Sequence, residues 1–330
     1  NAASLEEAIK GVDVSGQFQY RAEEISSGST KSDVEIEVGV KVPVNENVTA
    51  VFKIDNANDD AEGSVTKGSV DIEDYYFSYV NGALTVNAGQ QNIPGRMTDG
   101  AQGDGIVALY NLGSVTVGAA SFMNTNVVTT SASGVTPVTY ASNQLNSVIA
   151  MGTFGPVSLL AQYADLEDVA SAYNIKADAT VGPATLSVEY TDQDQDANND
   201  ELSTLKAQVS AKVGIVSGAL SYAKTGKDGH GGLHGDDDAA SELTLWQLGT
   251  DALADADYMG VDASVAITNS VSLRAAYLNA DDNTTEKKET LGAISYQMSK
   301  NFSALVMYSE LDDGSADNID RARVQAKYSF

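Results

Sequence analysis

The chain has 330 residues, no cysteine, 29 glycines and only 5 prolines, with a formal net charge of -27. That acidic excess works against nucleic-acid binding, because phosphates would be repelled, and the lack of cysteine removes disulfide and thiol chemistry. No run of about 18 apolar residues occurs, so no transmembrane helix is available.

The opening Asn-Ala-Ala-Ser-Leu carries no basic, apolar leader, which fits a cytosolic protein or one whose signal peptide has been removed. Val12 to Arg21 then alternates. Val12, Val14, Gly16, Phe18 and Tyr20 oppose Asp13, Ser15, Gln17, Gln19 and Arg21, the period-two pattern of a strand with one apolar and one polar face. Val34 to Val42 sets aliphatics at even positions against Glu35, Glu37, Gly39 and Lys41. A tight connection at 43–47 leads to Val48–Asp55, and a long polar segment, 56–68, precedes Asp71–Tyr79. Asn81-Gly82-Ala83 is a hairpin signal, since Asn-Gly tolerates the positive φ of primed turns, and it leads into Leu84–Gln91. Gly105–Leu112 and Val115–Met123 follow, then a Thr/Ser-rich loop to about Ser142. Later strands also come in pairs: Ser147–Thr153 with Val157–Tyr163, Tyr173–Val181 with Ala184–Tyr190, and Leu205–Val213 with Ser217–Ala223. Met259–Ile267 with Val271–Tyr277 and Leu291–Met298 with Phe302–Tyr308 complete the pairs. The last ten residues, Arg321–Phe330, alternate without an error.

This rhythm predicts one domain, residues 1–330, folded as an all-β transmembrane antiparallel barrel of eighteen strands, with sixteen as the alternative. Short turns would lie on the periplasmic rim and long loops on the extracellular one. Tyr20, Tyr79, Tyr110, Tyr163, Tyr190, Tyr222, Tyr277, Tyr308 and Tyr328 sit near strand ends, where an interfacial girdle places amphipathic rings. The expected location is the bacterial outer membrane, in contact with its lipid and lipopolysaccharide.

Residues 94–104 mix Pro94 and several glycines with Arg96, Asp99 and Asp104. Irregular polar backbone inside a membrane is tolerated where it lines a water-filled cavity, so this segment is expected to fold inward and narrow the lumen. The water-facing strand positions carry Arg21, Lys41, Lys53, Lys176, Lys206, Lys212, Arg274, Arg321, Arg323 and Lys327 against Asp13, Glu35, Glu37, Asp55, Asp74, Asp178 and Asp262. Opposed arrays of this kind set a transverse field, and the acidic excess favours cations.

Four acidic loop clusters, 59–62, 192–196, 236–238 and 312–313, are suitable chemistry for a divalent cation such as calcium, the alternatives being solvated loops or loose ion bridging to lipopolysaccharide. The second begins like an EF-hand loop, but Ala197 replaces the turn glycine and Ser203 the bidentate glutamate. His230 and His234, near Asp228, resemble a transition-metal patch. Neither sits in a nucleophile motif, so no enzyme is expected.

Leu5-Glu6-Glu7-Ala8-Ile9-Lys10 with Val12-Asp13-Val14-Ser15-Gly16, then Gly89-Gln90-Gln91 with Thr98-Asp99, then Ser121-Phe122-Met123, carry a resemblance. So does the C-terminal Val324–Phe330. The chain resembles the major outer-membrane porin family of Campylobacter and related bacteria. The resemblance implies an eighteen-stranded homotrimer passing small hydrophilic solutes by general diffusion, with a preference for cations. It also implies a calcium ion held near the constriction, for which Asp99 and Asp104 are the matching acids. The loop from Asn124 through Ser142 lacks the further carboxylate that the family offers there. The rival expectations are a surface-adhesive barrel with a plugged lumen and a soluble acidic all-β surface protein.

Overall fold

A computed structural model describes residues 10–26, 28–57, 69–129, 138–139, 142–197, 200–234 and 239–330. Eighteen strands form the wall: β1 (Asp13–Ile25), β2 (Ser29–Pro43), β3 (Val48–Ala57), β4 (Ser69–Asn81), β5 (Leu84–Asn92) and β6 (Gln102–Asn111). Next come β7 (Val115–Met123), β8 (Leu145–Phe154), β9 (Val157–Leu166), β10 (Ala170–Val181), β11 (Ala184–Gln195) and β12 (Leu202–Val213). The ring is completed by β13 (Val216–Thr225), β14 (Asp257–Ala266), β15 (Val271–Asp281), β16 (Glu286–Gln297), β17 (Phe302–Asp312) and β18 (Ile319–Ser329). Each pairs antiparallel with the next, and β18 pairs with β1 through Tyr328↔Phe18 and Gln325↔Arg21. The ring is therefore closed. Closure leaves no strand edge whose amides would lack partners in hydrocarbon.

The outer face is the apolar one. Val14, Phe18, Ile36, Phe77, Ile106, Leu220 and Val306 are all exposed on it. Tyr163, Tyr173, Tyr277 and Tyr308 crown it near one rim, and Tyr79, Tyr110, Tyr296 and Tyr328 near the other. Tyr308 of this crown and two neighbouring tyrosines donate to rim carboxylates: Tyr190 to Asp192 at 2.8 Å, Tyr222 to Asp257 at 2.5 Å and Tyr308 to Asp320 at 2.9 Å.

Turns on one rim have two to four residues. At four of them Gly82, Gly155, Gly182 and Gly214 hold the first turn position with φ near +60°, the requirement of a type II′ hairpin. Gly82, and not Asn81, takes the positive φ; Asn81 stays in β4. On the other rim the long connections are 58–68, 93–101, 124–144 and 226–256, while 26–28, 167–169 and 282–285 are as short as turns. At the first of these, β1 and β2 stay paired up to the connection, with Arg21 opposite Asp33 and Glu23 opposite Lys31. In the connection at 313–318, bonds from the Ser315 hydroxyl and amide hold the Asp313 carboxyl below its usual range.

One irregularity changes the lumen. Lys53 pairs with Asp74 but Ile54 pairs with Ile72, so Glu73 is an extra residue in β4. This β-bulge turns two consecutive acids, Glu73 and Asp74, to the water side and restores Tyr75 and Phe77 to the lipid side.

Candidate functional site

The lumen is not uniformly watery. Loop 3 (93–101), loop 4 (124–144) and loop 7 (226–256) contribute to the interior of the ring. Ile93, Met97 and Ala101 of loop 3 pack with Val127 of loop 4 and Leu233 of loop 7 against Phe122, Leu145, Leu166 and Ala172 of the wall. Leu248 and Leu253 of loop 7 pack against Ala223, Tyr258, Leu278 and Leu311. Backbone pairing ties the loops together. Val128–Thr129 pairs with Val138–Thr139 and with Leu233–His234, and Leu233 donates its N–H to Met97 O at 3.0 Å.

Loop 3 rests on β9 through one side chain. Gln162 Nε2 donates to Pro94 O at 3.2 Å and to Thr98 Oγ1 at 3.0 Å, while its Oε1 accepts the Arg96 N–H at 3.0 Å. Gly95 allows this approach: its φ is +145°, and a Cβ there would overlap the Gln162 amide. Gly95→Ala is expected to lift loop 3 from the wall and enlarge single-channel conductance; an unchanged conductance would show that loop 3 does not limit the opening.

Arg96 then locks three elements together. Its Nε and Nη2 make a bidentate pair with Glu189 on β11, at 2.6 and 3.0 Å. Nη2 also donates to Ala240 O of loop 7. Lys206 Nζ on β12 lies 3.1 Å from Glu189 Oε2 and donates to Ala240 O at 2.8 Å and Glu242 O at 2.9 Å. Asn174 Nδ2 gives Glu189 a further bond at 3.1 Å. Glu189 is only 1% exposed, so its charge is compensated at short range on every side the geometry shows. Toward the short-turn rim, Arg96, Thr153, Ser158, Lys176 and Asp178 line a cavity of about 640 Å³.

Nine strands on from β2, across the ring, is β11. Lys176 on β10, Glu189 on β11 and Lys206 on β12 therefore face β1–β3, and the acidic stretch of that wall runs on from β2 through β4. It carries Glu35, Glu37, Asp55, Glu73 and Asp74, with Lys53 Nζ set 3.3 Å from Glu37 and 2.5 Å from Glu73. Arg21 holds Asp33 at 2.7 Å and Glu35 at 2.8 Å. Arg274 pairs with Asp262 at 2.6 Å. Asp13 and Lys41 face each other, exposed, near the short-turn rim. Arg321 and Arg323 share Glu23, and Lys327 lies on the same face of β18.

Of the three residues expected at a constriction, the structure brings only Arg96 into this network. Asp99 is exposed on loop 3. Asp104 lies on β6 at the parity of Ile106 and Tyr110, on the outer face at the rim, where Asn124 Nδ2 approaches it at 3.3 Å. Strand parity decides that placement, because β6 begins at Gln102 and takes Asp104 out of the loop. Calcium needs several converging oxygens. Asp99 and Asp104 do not fit it, and among the described residues no group of three acids or imidazoles is set to hold a metal. His230 lies against Glu242 at 3.2 Å inside loop 7. The acidic clusters 59–62 and 236–238 and the side chain of His234 lie outside the described residues.

The sequence reading missed Glu73, Gln162, Glu189 and Glu289. Glu189 sat on a water-facing strand position like many others; only its register with Lys206 sets it apart.

A family model of Gram-negative porins matches residues 1–317. The chain is a Gram-negative porin. Porins are channels of the outer membrane, so the short turns are periplasmic and the loop rim extracellular. The porin superposes on solved Pseudomonas aeruginosa barrels at low identity. With OccK5 (OpdH) the TM-score is 0.81 at 10% identity, covering 98% of this chain and 99% of that one. OccK8 (OprE) gives 0.81 at 12%, covering 98% and 99%, and OpdK with vanillate gives 0.81 at 14%, covering 97% and 99%. At such identities the likeness concerns the fold. No curated protein matches the porin's sequence at a significant level.

Proposed function

We propose that the porin passes small hydrophilic solutes and ions by passive diffusion, with a preference for cations. The observation that carries this reading is the asymmetry of the lumen. The β2–β4 wall gathers Glu35, Glu37, Asp55, Glu73 and Asp74 around Lys53 and the adjacent Arg21, five carboxylates to two bases, whereas the facing bases Arg96 and Lys206 are engaged with Glu189 and loop carbonyls. A confined channel focuses the field of the uncompensated sign. The finer assignment to the Campylobacter-type branch, and with it a homotrimer set in lipid and lipopolysaccharide, is supported by the residue likeness at 5–16 and 121–123.

The deciding experiment is conductance of the purified protein in planar bilayers under a salt gradient. The parent is expected to show a reversal potential of cation-preferring sign. A Glu37→Gln, Glu73→Gln, Asp74→Asn variant should lose most of it, whereas Asp104→Asn, on the outer face, should leave it unchanged. Equal reversal potentials in parent and triple variant would remove the β2–β4 wall from the mechanism. A parent that passes almost no current would instead be the plugged surface barrel.

A further inference from the structure

The single tryptophan of the chain, Trp246, is seated by an unusual convergence of donors. Glu289 Oε2 on β16 accepts three successive backbone N–H groups of loop 7: Trp246 at 3.1 Å, Gln247 at 2.9 Å and Leu248 at 2.9 Å. Its Oε1 accepts the Ser309 hydroxyl at 2.5 Å, and Gln247 Nε2 donates to the same Ser309 oxygen at 3.1 Å. Glu289 is 0% exposed. Successive amides aimed at one anion form a nest. Here the loop supplies the nest and the barrel wall supplies the anion, so the loop is fastened by charge-assisted bonds without a mobile ion.

The fastening has an electrostatic consequence. Trp246 and Leu245 pack against Ala276, Leu291, Ala293 and Met307. The guanidinium carbons of Arg321 and Arg323 sit 4.8 and 4.9 Å from the indole centroid, within cation–π range. These two arginines share one counterion, Glu23. Their side chains are only 24% and 19% exposed. Two cations with one carboxylate between them would otherwise face the lumen beside Arg21 and Lys327.

We propose that Glu289 is the positioning residue that seats loop 7 so that Trp246 covers Arg321 and Arg323, withdrawing two cations from the conducting path. The selectivity of the pore is then left to the acidic β2–β4 wall. This rests on the cation-preferring reading given above. Undocking the loop returns both guanidiniums to water and adds positive potential to the lumen.

Two variants test it in planar bilayers under a salt gradient, with folding checked by heat-modifiable gel mobility. Trp246→Ala uncovers the arginines without touching the buried carboxylate. Glu289→Gln keeps an acceptor oxygen but removes the charge. Both are expected to shift the reversal potential toward anions. Glu289→Gln should also enlarge single-channel conductance and make Trp246 fluorescence more quenchable by acrylamide. In an Arg321→Gln, Arg323→Gln background Trp246→Ala should produce no further shift, a result that a merely structural tryptophan would not give. A parent without cation preference would overturn the functional reading, yet the parent-to-variant shift would still be read. A Trp246→Ala channel with the parental reversal potential overturns this proposal, whether or not Glu289→Gln folds.

Discussion

Replacing Glu189 with alanine is expected to destabilise the barrel's interior more than any other single lumen substitution. Glu189 receives Arg96 in bidentate fashion, Lys206 at 3.1 Å and Asn174 at 3.1 Å, with 1% of its side chain exposed. Without it, two cations that now share a carboxylate face each other, Lys206 with only 14% of its side chain exposed. Breaking a buried pair by removing one partner costs about 3–5 kcal/mol, because the charge left behind has lost its compensation. The loss also falls on loop 7, since Arg96 and Lys206 both donate to Ala240 O. The variant should therefore show two changes together: a lower temperature for the heat-modifiable mobility shift, and a larger, noisier single-channel conductance. Glu189→Gln should lie between parent and alanine, because a neutral amide still accepts from Asn174. A double-mutant cycle with Arg96→Ala should be strongly non-additive, as expected for residues in direct contact. Additive losses would mean that Arg96 and Glu189 do not act as a pair.

The barrel itself was readable from the chain because one variable, polarity at alternate residues, reports both the strand and its two solvents. The eighteen segments, the closing Arg321–Phe330 strand and the outward tyrosines all follow from that period. What escaped was set by register and by bulges. Glu73 broke the period, and only the Lys53/Ile54 register shift shows why. In the sequence Asp104 reads as loop because glycines surround it, but Gly103 and Gly105 lie within β6, where the Thr125 methyl of loop 4 crowds a Cβ at Gly103 and the Phe122 ring and Ser121 backbone of β7 crowd one at Gly105. The filled lumen left a trace in the sequence too. Val107, Ile149, Leu166, Leu278 and Leu291 are apolar at water-facing positions, and each is buried in the structure. Four of the five fall in the clusters where the inward loops pack. Apolar residues at polar parity thus marked the places where protein replaces water, but not which loop would arrive.

The orientation of the wall makes a second strong expectation, because adjacent residues of one strand face opposite solvents. Leu220 lies midway along β13 on the outer face, 62% exposed, between Val209 of β12 and Val261 of β14. Leu220→Arg puts a guanidinium against hydrocarbon near the middle of the apolar band, where such a charge costs about 2–4 kcal/mol. Ala219, one residue earlier, points inward with Ser210 and Asp262 as its register neighbours. Ala219→Arg therefore places the same charge in water beside a carboxylate that already holds Arg274. Refolded into lipid vesicles, Leu220→Arg should give a markedly lower yield of the compact, heat-modifiable form, and Ala219→Arg a nearly parental yield with altered conductance. The reverse order would place the β13 register one residue off, and with it every luminal side chain that the acidic wall and the loop clamp depend on.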